Sequence, residues 1–538
     1  MMLQVTRVTV VAAAALFGLA VPTVAIWATP RPSAGGPAEA AVLAGPVCTS
    51  GVPGDVNGDG FAEVAIGEPG NAKGRGAVHI AYGQRRGMVV DASGTALNDQ
   101  YFTPGTPGVT GTADLEGRFG TDTVLADFNG DGCADLVVGS PGEDTSTGWV
   151  NIFYGSRSGL STDGIQGFGL AGLFGPAAGG PGDGLGDTLT SADLDGDGID
   201  DLAAGLMGLR VGTKEAAGGV AVMYGSTRGL NLGREPAVLL TRDTPGVPGA
   251  ADELGGFGAA VAAGDFDGDG AAELAIGMTN GLSSGAIQVV AREPGGFRGG
   301  EPIGSGTADL PGDRNRFCAF GFVLASGDVH GDGRDDLAVA DPSFGCRDRE
   351  SEFGMGAVVL LPGSESGLTT ERGQFWTQSS PGVQGTARLG NVFGESLAMG
   401  PLDRGTTADL AIGAPGDSIA GSVTVLLGDT NGLTTAGSGG TRYSQATHGV
   451  VGTAESGDRF GEVVTVAFLQ RGSQASLLIG APGEDEGRAV DAGSVSQLSI
   501  SGAGPTPSGS RTFTVDTPGV QGVAGRDESF GGGTRRWG

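Results

Sequence analysis

The chain has few histidines, few basic residues and, beyond its N-terminus, no long apolar run. Its three histidines among 538 residues do not stand near a candidate nucleophilic serine or cysteine, so acid–base catalysis has few candidates. Lys and Arg total 31 against 61 Asp and Glu, a formal charge of −30. That charge argues against nucleic acid as a partner, because phosphates would be repelled.

Aromatic residues are also scarce, at 6%, whereas glycine occurs 108 times. The glycines show no G-X-Y period, which excludes collagen. Hydrophobic residues make up 39% of the chain, too many for a disordered protein. They form short Val, Ala, Leu and Ile runs between Gly, Pro and Asp turns, a pattern that predicts an all-β fold.

The N-terminus carries Arg7 followed by the apolar run Val8–Val21. We predict a secretory signal peptide over residues 1–28, cleaved between positions 25 and 40. An uncleaved anchor is the alternative, since Val8–Ala28 is long enough to span a bilayer. Residues 29–46 are interpreted as a flexible leader. Export to the cell exterior, released or surface-anchored, fits four cysteines, because disulfides persist outside the cell.

One nine-residue pattern recurs five times, with oxygen-bearing side chains at positions 1, 3, 5 and 9 (a histidine at position 3 of the fifth) and Gly at position 6. The five loops, numbered 1 to 5, are Asp55–Glu63, Asp127–Asp135, Asp193–Asp201, Asp265–Glu273 and Asp328–Asp336. Alternate side chains of a tight turn point inward, and Ca²⁺ takes six to eight oxygens. An Asx-rich turn is the alternative for any single copy, but repetition in register favours a cation site.

We therefore predict up to five structural Ca²⁺ ions. The predicted ligands are side chains at positions 1, 3, 5 and 9 and the carbonyl at position 7: Asp55, Asn57, Asp59, Phe61 and Glu63; Asp127, Asn129, Asp131, Cys133 and Asp135; Asp193, Asp195, Asp197, Ile199 and Asp201; Asp265, Asp267, Asp269, Ala271 and Glu273; Asp328, His330, Asp332, Arg334 and Asp336. His330 replaces the usual Asn or Asp, which indicates a weaker site or one completed by water.

Each later loop follows a Phe-Gly pair or close variant by eight residues, as from Phe119 to Asp127. The same offset identifies two degraded loops, Pro401–Asp409 and Phe468–Ser476, which we call loops 6 and 7 and expect to bind no metal. Apolar strands follow every loop, so one unit has four short strands and occurs seven times. Repeated four-stranded sheets stack radially, which predicts a seven-bladed β-propeller over residues 47–538.

These signatures resemble the FG-GAP repeat, as found in the N-terminal β-propeller of integrin α subunits and in secreted bacterial relatives. The resemblance covers roughly residues 47–531. It implies Ca²⁺ on the lower face, in loops between the first two strands of each blade, and ligand binding on the upper face. Integrin propellers hold their cations in later blades, whereas here the first five loops are intact. Leg domains and a C-terminal membrane helix are not evident in this sequence.

Four further expectations concern the upper face and ring closure. The loops Asp341–Gly356 and Leu206–Gly219 are the candidate ligand surface. Cys318 and Cys346 belong to one upper rim and are expected to form a disulfide; the pairing of Cys48 and Cys133 stays open. Either residues 529–538 or residues 47–54 supply the inner strand of the first blade.

The predicted function is an extracellular, monomeric binding or adhesion module whose ligand is a protein or polysaccharide. A hydrolase or lyase on the same scaffold is the alternative. Gly281–Gly285 matches the G-x-S-x-G spacing, but that motif requires a strand-to-helix turn and here lies between two strands.

Overall fold

The computed structural model describes residues 48, 51–84, 88, 99–233, 235–278, 284–346, 354–469, 475–522 and 524–532. The predicted signal peptide and leader lie outside these residues, as do most of the G-x-S-x-G match and most charged residues of the Asp341–Gly356 loop. No helix in the described ranges is long and apolar enough to cross a membrane.

The described chain forms seven antiparallel sheets, each of them one blade of a propeller. Their strands, in chain order and separated by blade, are β1 (Val64–Gly67), β2 (Val78–Ala81), β3 (Asp99–Phe102); β4 (Thr123–Ala126), β5 (Asp135–Ser140), β6 (Trp149–Phe153), β7 (Gln166–Phe168); β8 (Leu189–Ala192), β9 (Asp201–Leu206), β10 (Gly219–Met223), β11 (Val238–Leu240); β12 (Phe257–Gly264), β13 (Glu273–Met278), β14 (Ala286–Glu293), β15 (Gly296–Gly299), β16 (Ile303–Gly304); β17 (Val323–Gly327), β18 (Asp336–Asp341), β19 (Ala357–Leu361), β20 (Gln374–Trp376); β21 (Ser396–Gly400), β22 (Asp409–Ala414), β23 (Ser422–Asp429), β24 (Gly432–Thr434), β25 (Thr441–Tyr443); β26 (Val463–Ala467), β27 (Ser476–Ala481), β28 (Ser494–Ser501) and β29 (Gly504–Phe513).

The predicted seven-bladed architecture is confirmed. Blades 4 and 6 contain five strands because two short segments share the outermost position: β15 and β16 both pair with β14, and β24 and β25 both pair with β23. The short helical segments are α1 (Asn71–Gly74), α2 (Glu143–Ser146), α3 (Leu170–Phe174) and a 3-10 turn over Arg314–Arg316.

Small and β-branched residues allow the blades to pack closely around the axis. The innermost strands of successive blades contact each other, as β8 does β12 and β17 does β21. The second strand is buried along its whole length in blades 2 to 7. Runs of Ala, Val, Leu and Gly suit this position because both faces of the strand meet neighbouring sheets.

The Phe-Gly pairs join one blade to the next. Phe119 is buried and its backbone pairs with Gly76, which lies just before β2 in blade 1. A Cβ on Gly76 would lie 2.1 Å from the Phe119 carbonyl oxygen, and Gly76 has φ +87°. Glycine is therefore required at this crossing. The same backbone pairing recurs between Gly285 and Phe320 and between Gly356 and Phe393.

The C-terminal segment occupies the Phe-Gly position of blade 1. Gly531 donates its N–H to Gly67 O at 3.0 Å, as Gly461 does to Gly480 O in blade 7. Phe530 is buried, with its ring centroid 5.2 Å from that of His79. Gly51–Gly54 forms a turn rather than a strand. Closure by the C-terminal segment is thus observed up to Gly532, and the residues expected to form the strand itself lie outside the described ranges.

A cavity of about 160 Å³ lies along the inner edge of β1, between β4 and β26. The described part of blade 1 has three strands. Ala65 and Gly67 on β1 are partly exposed, unlike the residues of the second strand in the other blades. The innermost position of blade 1 is the one expected for residues outside the described ranges.

Candidate metal centre

Each intact loop is a series of tight turns that point side-chain oxygens inward. The position 1 carboxylate accepts the N–H of the position 6 glycine in all five loops, at 2.8 Å for Asp55 and Gly60. The position 5 carboxylate likewise accepts the N–H of position 7, at 3.1 Å for Asp59 and Phe61. These bonds arise from the spacing of Asp, Asn and Gly alone, since Asx side chains bond their own backbone two residues on.

The position 9 carboxylate ties each loop to its blade. It accepts the N–H of position 2, as Asp135 does from Phe128 at 3.1 Å, and the same bond occurs in loops 1 to 6. In several blades its other oxygen accepts the N–H of the glycine after the third strand, for example Gly155 to Asp135 at 2.8 Å. Position 9 is therefore a structural anchor, whether or not a cation is bound.

Loops 1, 3 and 4 gather three carboxylates into one small volume. One oxygen from each of Asp55, Asp59 and Glu63 lies within 4.8 Å of the others; the same holds for Asp193, Asp195 and Asp197, and for Asp265, Asp267 and Asp269. Glu63 is buried, and its Oε1 has no hydrogen-bond partner among the described residues. A buried carboxylate that lies close to two further carboxylates and keeps one oxygen without a hydrogen bond fits a hard divalent cation.

The electrostatics of the position 9 residues agree with that fit. Burial raises the pKa of Glu63 to about 9, and the charges of Asp55 and Asp59 act in the same direction. Burial likewise raises the pKa of Asp201 to about 8 and that of Glu273 to about 8. A bound divalent cation would stabilise the ionised form of each carboxylate. The residues of these loops would hold Ca²⁺, which would supply charge neutralisation rather than chemistry.

Loops 2 and 5 differ from the other intact loops. In loop 2 the position 3 residue is an asparagine whose Nδ2 donates to Asp135 Oδ1 at 3.5 Å. In loop 5, His330 is buried and its Nδ1 lies 2.8 Å from Asp336 Oδ2. The structure therefore places His330 against the Asp336 carboxylate. A cation in loop 5 would require the imidazole to share this carboxylate or to release it.

The degraded loops keep the fold of the intact ones in part. Asp409 accepts N–H bonds from Leu402 at 2.7 Å and from Gly428 at 2.8 Å. Asp403 is the other carboxylate of loop 6, and its Oδ1 accepts the N–H of Gly405. Residues 470–474 of loop 7 lie outside the described ranges.

Neighbouring loops are hydrogen-bonded head to tail around the lower face, which the sequence analysis did not anticipate. The N–H of position 8 donates to the carbonyl of position 1 in the preceding loop. The bonds are Ala134 to Asp55, Asp200 to Asp127, Ala272 to Asp193, Asp335 to Asp265, Ala408 to Asp328 and Ala62 to Phe468, at 2.8–3.2 Å. Six successive pairs of loops are thus joined by a direct backbone hydrogen bond.

Both cysteine pairs form disulfides. The predicted Cys318–Cys346 bond is confirmed, and Cys48, whose partner the sequence left open, is bonded to Cys133 of loop 2. Two disulfides agree with an oxidising, extracellular environment.

The opposite, upper face exposes large apolar side chains. Leu115, Leu254 and Leu389 are 61%, 48% and 41% exposed, and each stands three or four residues before a Phe-Gly pair. Ile419, 64% exposed, lies in the β22–β23 connection, where its carbonyl accepts the N–H of Gly457 from the next linker. The sequence analysis missed these residues. The three leucines recur at a nearly constant distance before a Phe-Gly pair, at a position where the fold does not need a core residue. That repetition is the signal that could have found them.

The predicted charged upper loops are only partly described. In Leu206–Gly219, Arg210 pairs with Glu215, and Lys214 Nζ donates to Ala251 O. In Asp341–Gly356, Asp341 is buried and accepts the N–H of Cys318 at 2.6 Å, whereas the other charged residues lie outside the described ranges.

Comparison with known proteins supports the repeat assignment. The FG-GAP repeat model matches residues 49–80, 119–151 and 257–290. Phosphatidylinositol-glycan-specific phospholipase D of Mus musculus is 31% identical over 163 residues, which are 29% of this chain and 18% of that protein. Integrin alpha-6 of Gallus gallus is 30% identical over 172 residues, or 30% of this chain and 14% of its own length. Integrin alpha-8 of Gallus gallus is 31% identical over 183 residues, or 33% and 16%.

The matched segments thus span less than a fifth of each of these relatives. A rhamnogalacturonan lyase of Bacillus licheniformis aligns over 80% of this chain and 65% of its own, with 11% identity and a TM-score of 0.33, a likeness too weak to indicate function. The repeats, their loops and the ring of seven sheets agree in one assignment. The chain contains FG-GAP repeats and forms a seven-bladed, integrin-like β-propeller.

Proposed function

We propose that this protein is an extracellular binding module whose propeller is stabilised by Ca²⁺ on the lower face and recognises its ligand on the upper face. The cations are structural: they neutralise clustered carboxylates and order the hairpins between first and second strands. The buried, unpaired Oε1 of Glu63 supports this role for loop 1.

The observation that carries the binding role is the exposure of Leu115, Leu254, Leu389 and Ile419 on the face opposite the cation loops. Exposed apolar side chains mark an interaction site when they form a contiguous patch, and the proposal is that these four contribute to one. The three leucines stand on linkers between blades and Ile419 on a loop within blade 6, and binding residues are commonly presented on loops of a rigid scaffold. The ligand class is an extracellular protein or polysaccharide with an apolar surface.

Binding of purified protein to glycan and matrix-protein arrays, with and without calcium, tests this proposal. We expect the triple variant Leu115→Ser, Leu254→Ser, Leu389→Ser to lose the recovered ligand. Leu232→Ser is the matched control, because Leu232 is also 43% exposed but follows the third strand of blade 3, on the cation-loop side. Equal loss in both variants, or no calcium-dependent change in stability, would contradict the proposal.

The alternative of a hydrolase or lyase would need acidic or histidine side chains converging on the central channel. Among the described residues, His79 and His330 are both buried beside carboxylates. The cavity beside β1 is lined mainly by Val, Ala, Leu, Ile, Gly and Thr, and its two acidic residues are Glu63 of loop 1 and Asp122, which accepts the N–H of Leu189. No observation favours that alternative, and it is not proposed.

A further inference from the structure

Cys48 lies between two neighbouring cation loops. It is bonded to Cys133 at position 7 of loop 2, and its N–H donates to Asp131 O, at position 5 of the same loop, at 3.1 Å. Both cysteines are buried. Cys48 therefore contacts the part of loop 2 that contributes the Asp131 carboxylate and the Cys133 carbonyl.

The same residue also supports loop 1. A Cβ on Gly58, at position 4 of loop 1, would lie 2.7 Å from Cys48 Sγ, and a Cβ on Gly132, at position 6 of loop 2, would lie 2.1 Å from Cys48 O. In loop 3 the corresponding glycines are Gly196 and Gly198, and a Cβ on either would have nothing within 4 Å. Close contact with Cys48 is thus a feature of loops 1 and 2, and loop 3 has no equivalent contact at these glycines.

Loops 1 and 2 are already joined by the bond from Ala134 N to Asp55 O, the kind of bond that also joins the other neighbouring loops. The disulfide adds a covalent bond that fixes Cys48, which contacts loop 1, to loop 2. Groups that hold ligating residues in place commonly affect metal affinity strongly, because a preorganised loop has less conformational entropy to lose on binding.

We propose that the Cys48–Cys133 disulfide is a positioning element for the cation sites of loops 1 and 2, coupling the two loops so that a disturbance of one weakens both. This inference rests on the proposed calcium function and adds a disulfide that sets the cation affinity of two specific sites. The Cys318–Cys346 disulfide, in the segment before β17 and the loop after β18, has no such role.

Calcium titration by calorimetry of metal-stripped protein tests the inference. In Cys48→Ser/Cys133→Ser we expect two sites to weaken by about tenfold or more, with the remaining sites unchanged. The matched control Cys318→Ser/Cys346→Ser should retain the wild-type number of tight sites. Circular dichroism in saturating calcium checks that each variant is folded.

A glycine pair tests the same coupling with both disulfides intact. Gly132 and Gly198 occupy position 6 of loops 2 and 3 with φ +85° and +87°, so alanine incurs the same backbone cost at both. Gly198→Ala should weaken one site, whereas Gly132→Ala should weaken two, because it displaces Cys48 from Gly58. This pair decides the question if the cysteine variant does not fold.

The outcomes separate the two proposals. A wild-type protein that binds no calcium overturns the proposed function. If the wild-type protein binds calcium and the affinities are unchanged in Cys48→Ser/Cys133→Ser, only the proposed role of the disulfide is overturned. Equal losses in the two disulfide variants, or one weakened site in both glycine variants, overturn it as well.

Discussion

Blade 1 and blade 6 differ in two features, the number of carboxylates in the loop and the number of described strands in the sheet. Blade 1 has an intact loop, with Glu63 close to Asp55 and Asp59, but its described sheet has three strands and a cavity at the inner edge. Blade 6 has a complete sheet and a loop that retains two carboxylates, Asp403 and Asp409. Both loops nevertheless keep the bond from the position 2 N–H to position 9.

The comparison shows that position 9 has two separable roles. Its bonds to backbone N–H groups fix the hairpin, and this role survives in Asp409 without the other acidic residues. Its charge beside positions 1 and 5, as in Glu63, is the feature on which the proposed cation site of loop 1 depends. The hairpin bonds of position 9 are thus kept in a loop that lacks carboxylates at positions 1 and 5.

Removal of calcium should have the largest effect. Each site at a hundredfold excess of calcium over its Kd contributes about 2.7 kcal/mol to the free energy of unfolding, so EDTA should lower the Tm by many degrees. Differential scanning calorimetry with and without EDTA measures it. An unchanged Tm would contradict the assignment of loops 1 to 5 as cation sites.

Deletion of residues 529–538 should come next. It removes the buried Phe530 and the Gly531–Gly67 bond that closes the ring, and loss of a buried Phe side chain costs about 3–5 kcal/mol. Thermal denaturation of the deletion variant in saturating calcium measures the change. An unchanged Tm would rule out closure by this segment.

Asp409→Ala and Asp55→Ala should separate the two roles of the loop carboxylates. Asp409→Ala leaves the N–H groups of Leu402 and Gly428 without their acceptor, at about 1–3 kcal/mol for a buried unsatisfied group. Urea denaturation should show the same loss with calcium and with EDTA. Asp55→Ala also removes the acceptor of the Gly60 N–H, so part of its loss should remain in EDTA, but the loss should be larger in calcium. A loss that is independent of calcium in both variants would remove the distinction.

The pH dependence of Asp409 should be the smallest effect. Burial raises its pKa from 3.8 to about 7. A carboxyl group whose folded pKa is raised contributes stability below its unfolded pKa and loses that contribution as pH rises toward the folded value. In saturating calcium, the difference in Tm between wild type and Asp409→Asn should therefore change between pH 3.8 and 7, with the wild type losing relative stability. A difference independent of pH would show that Asp409 is ionised throughout.

Local repetition made much of this protein predictable. The loops, the Phe-Gly pairs and the number of blades depend on residues within one repeat, and Cys318 and Cys346 lie 28 residues apart in one blade. The Cys48–Cys133 bond joins residues 85 apart from different repeats, and nothing in a single repeat indicates it. His330 was expected near a cation, and its hydrogen bond to Asp336 became visible only in three dimensions.

The sequence by itself determined the architecture, because Asp, Asn and Gly at set spacings form the same turns wherever they occur and short apolar runs between them form strands. Only the tertiary structure decided how the repeats act on one another: the head-to-tail bonds between loops, the position of Cys48 and the leucines left exposed on the upper face. Those features depend on how seven sheets meet around one axis, and each involves residues from different blades.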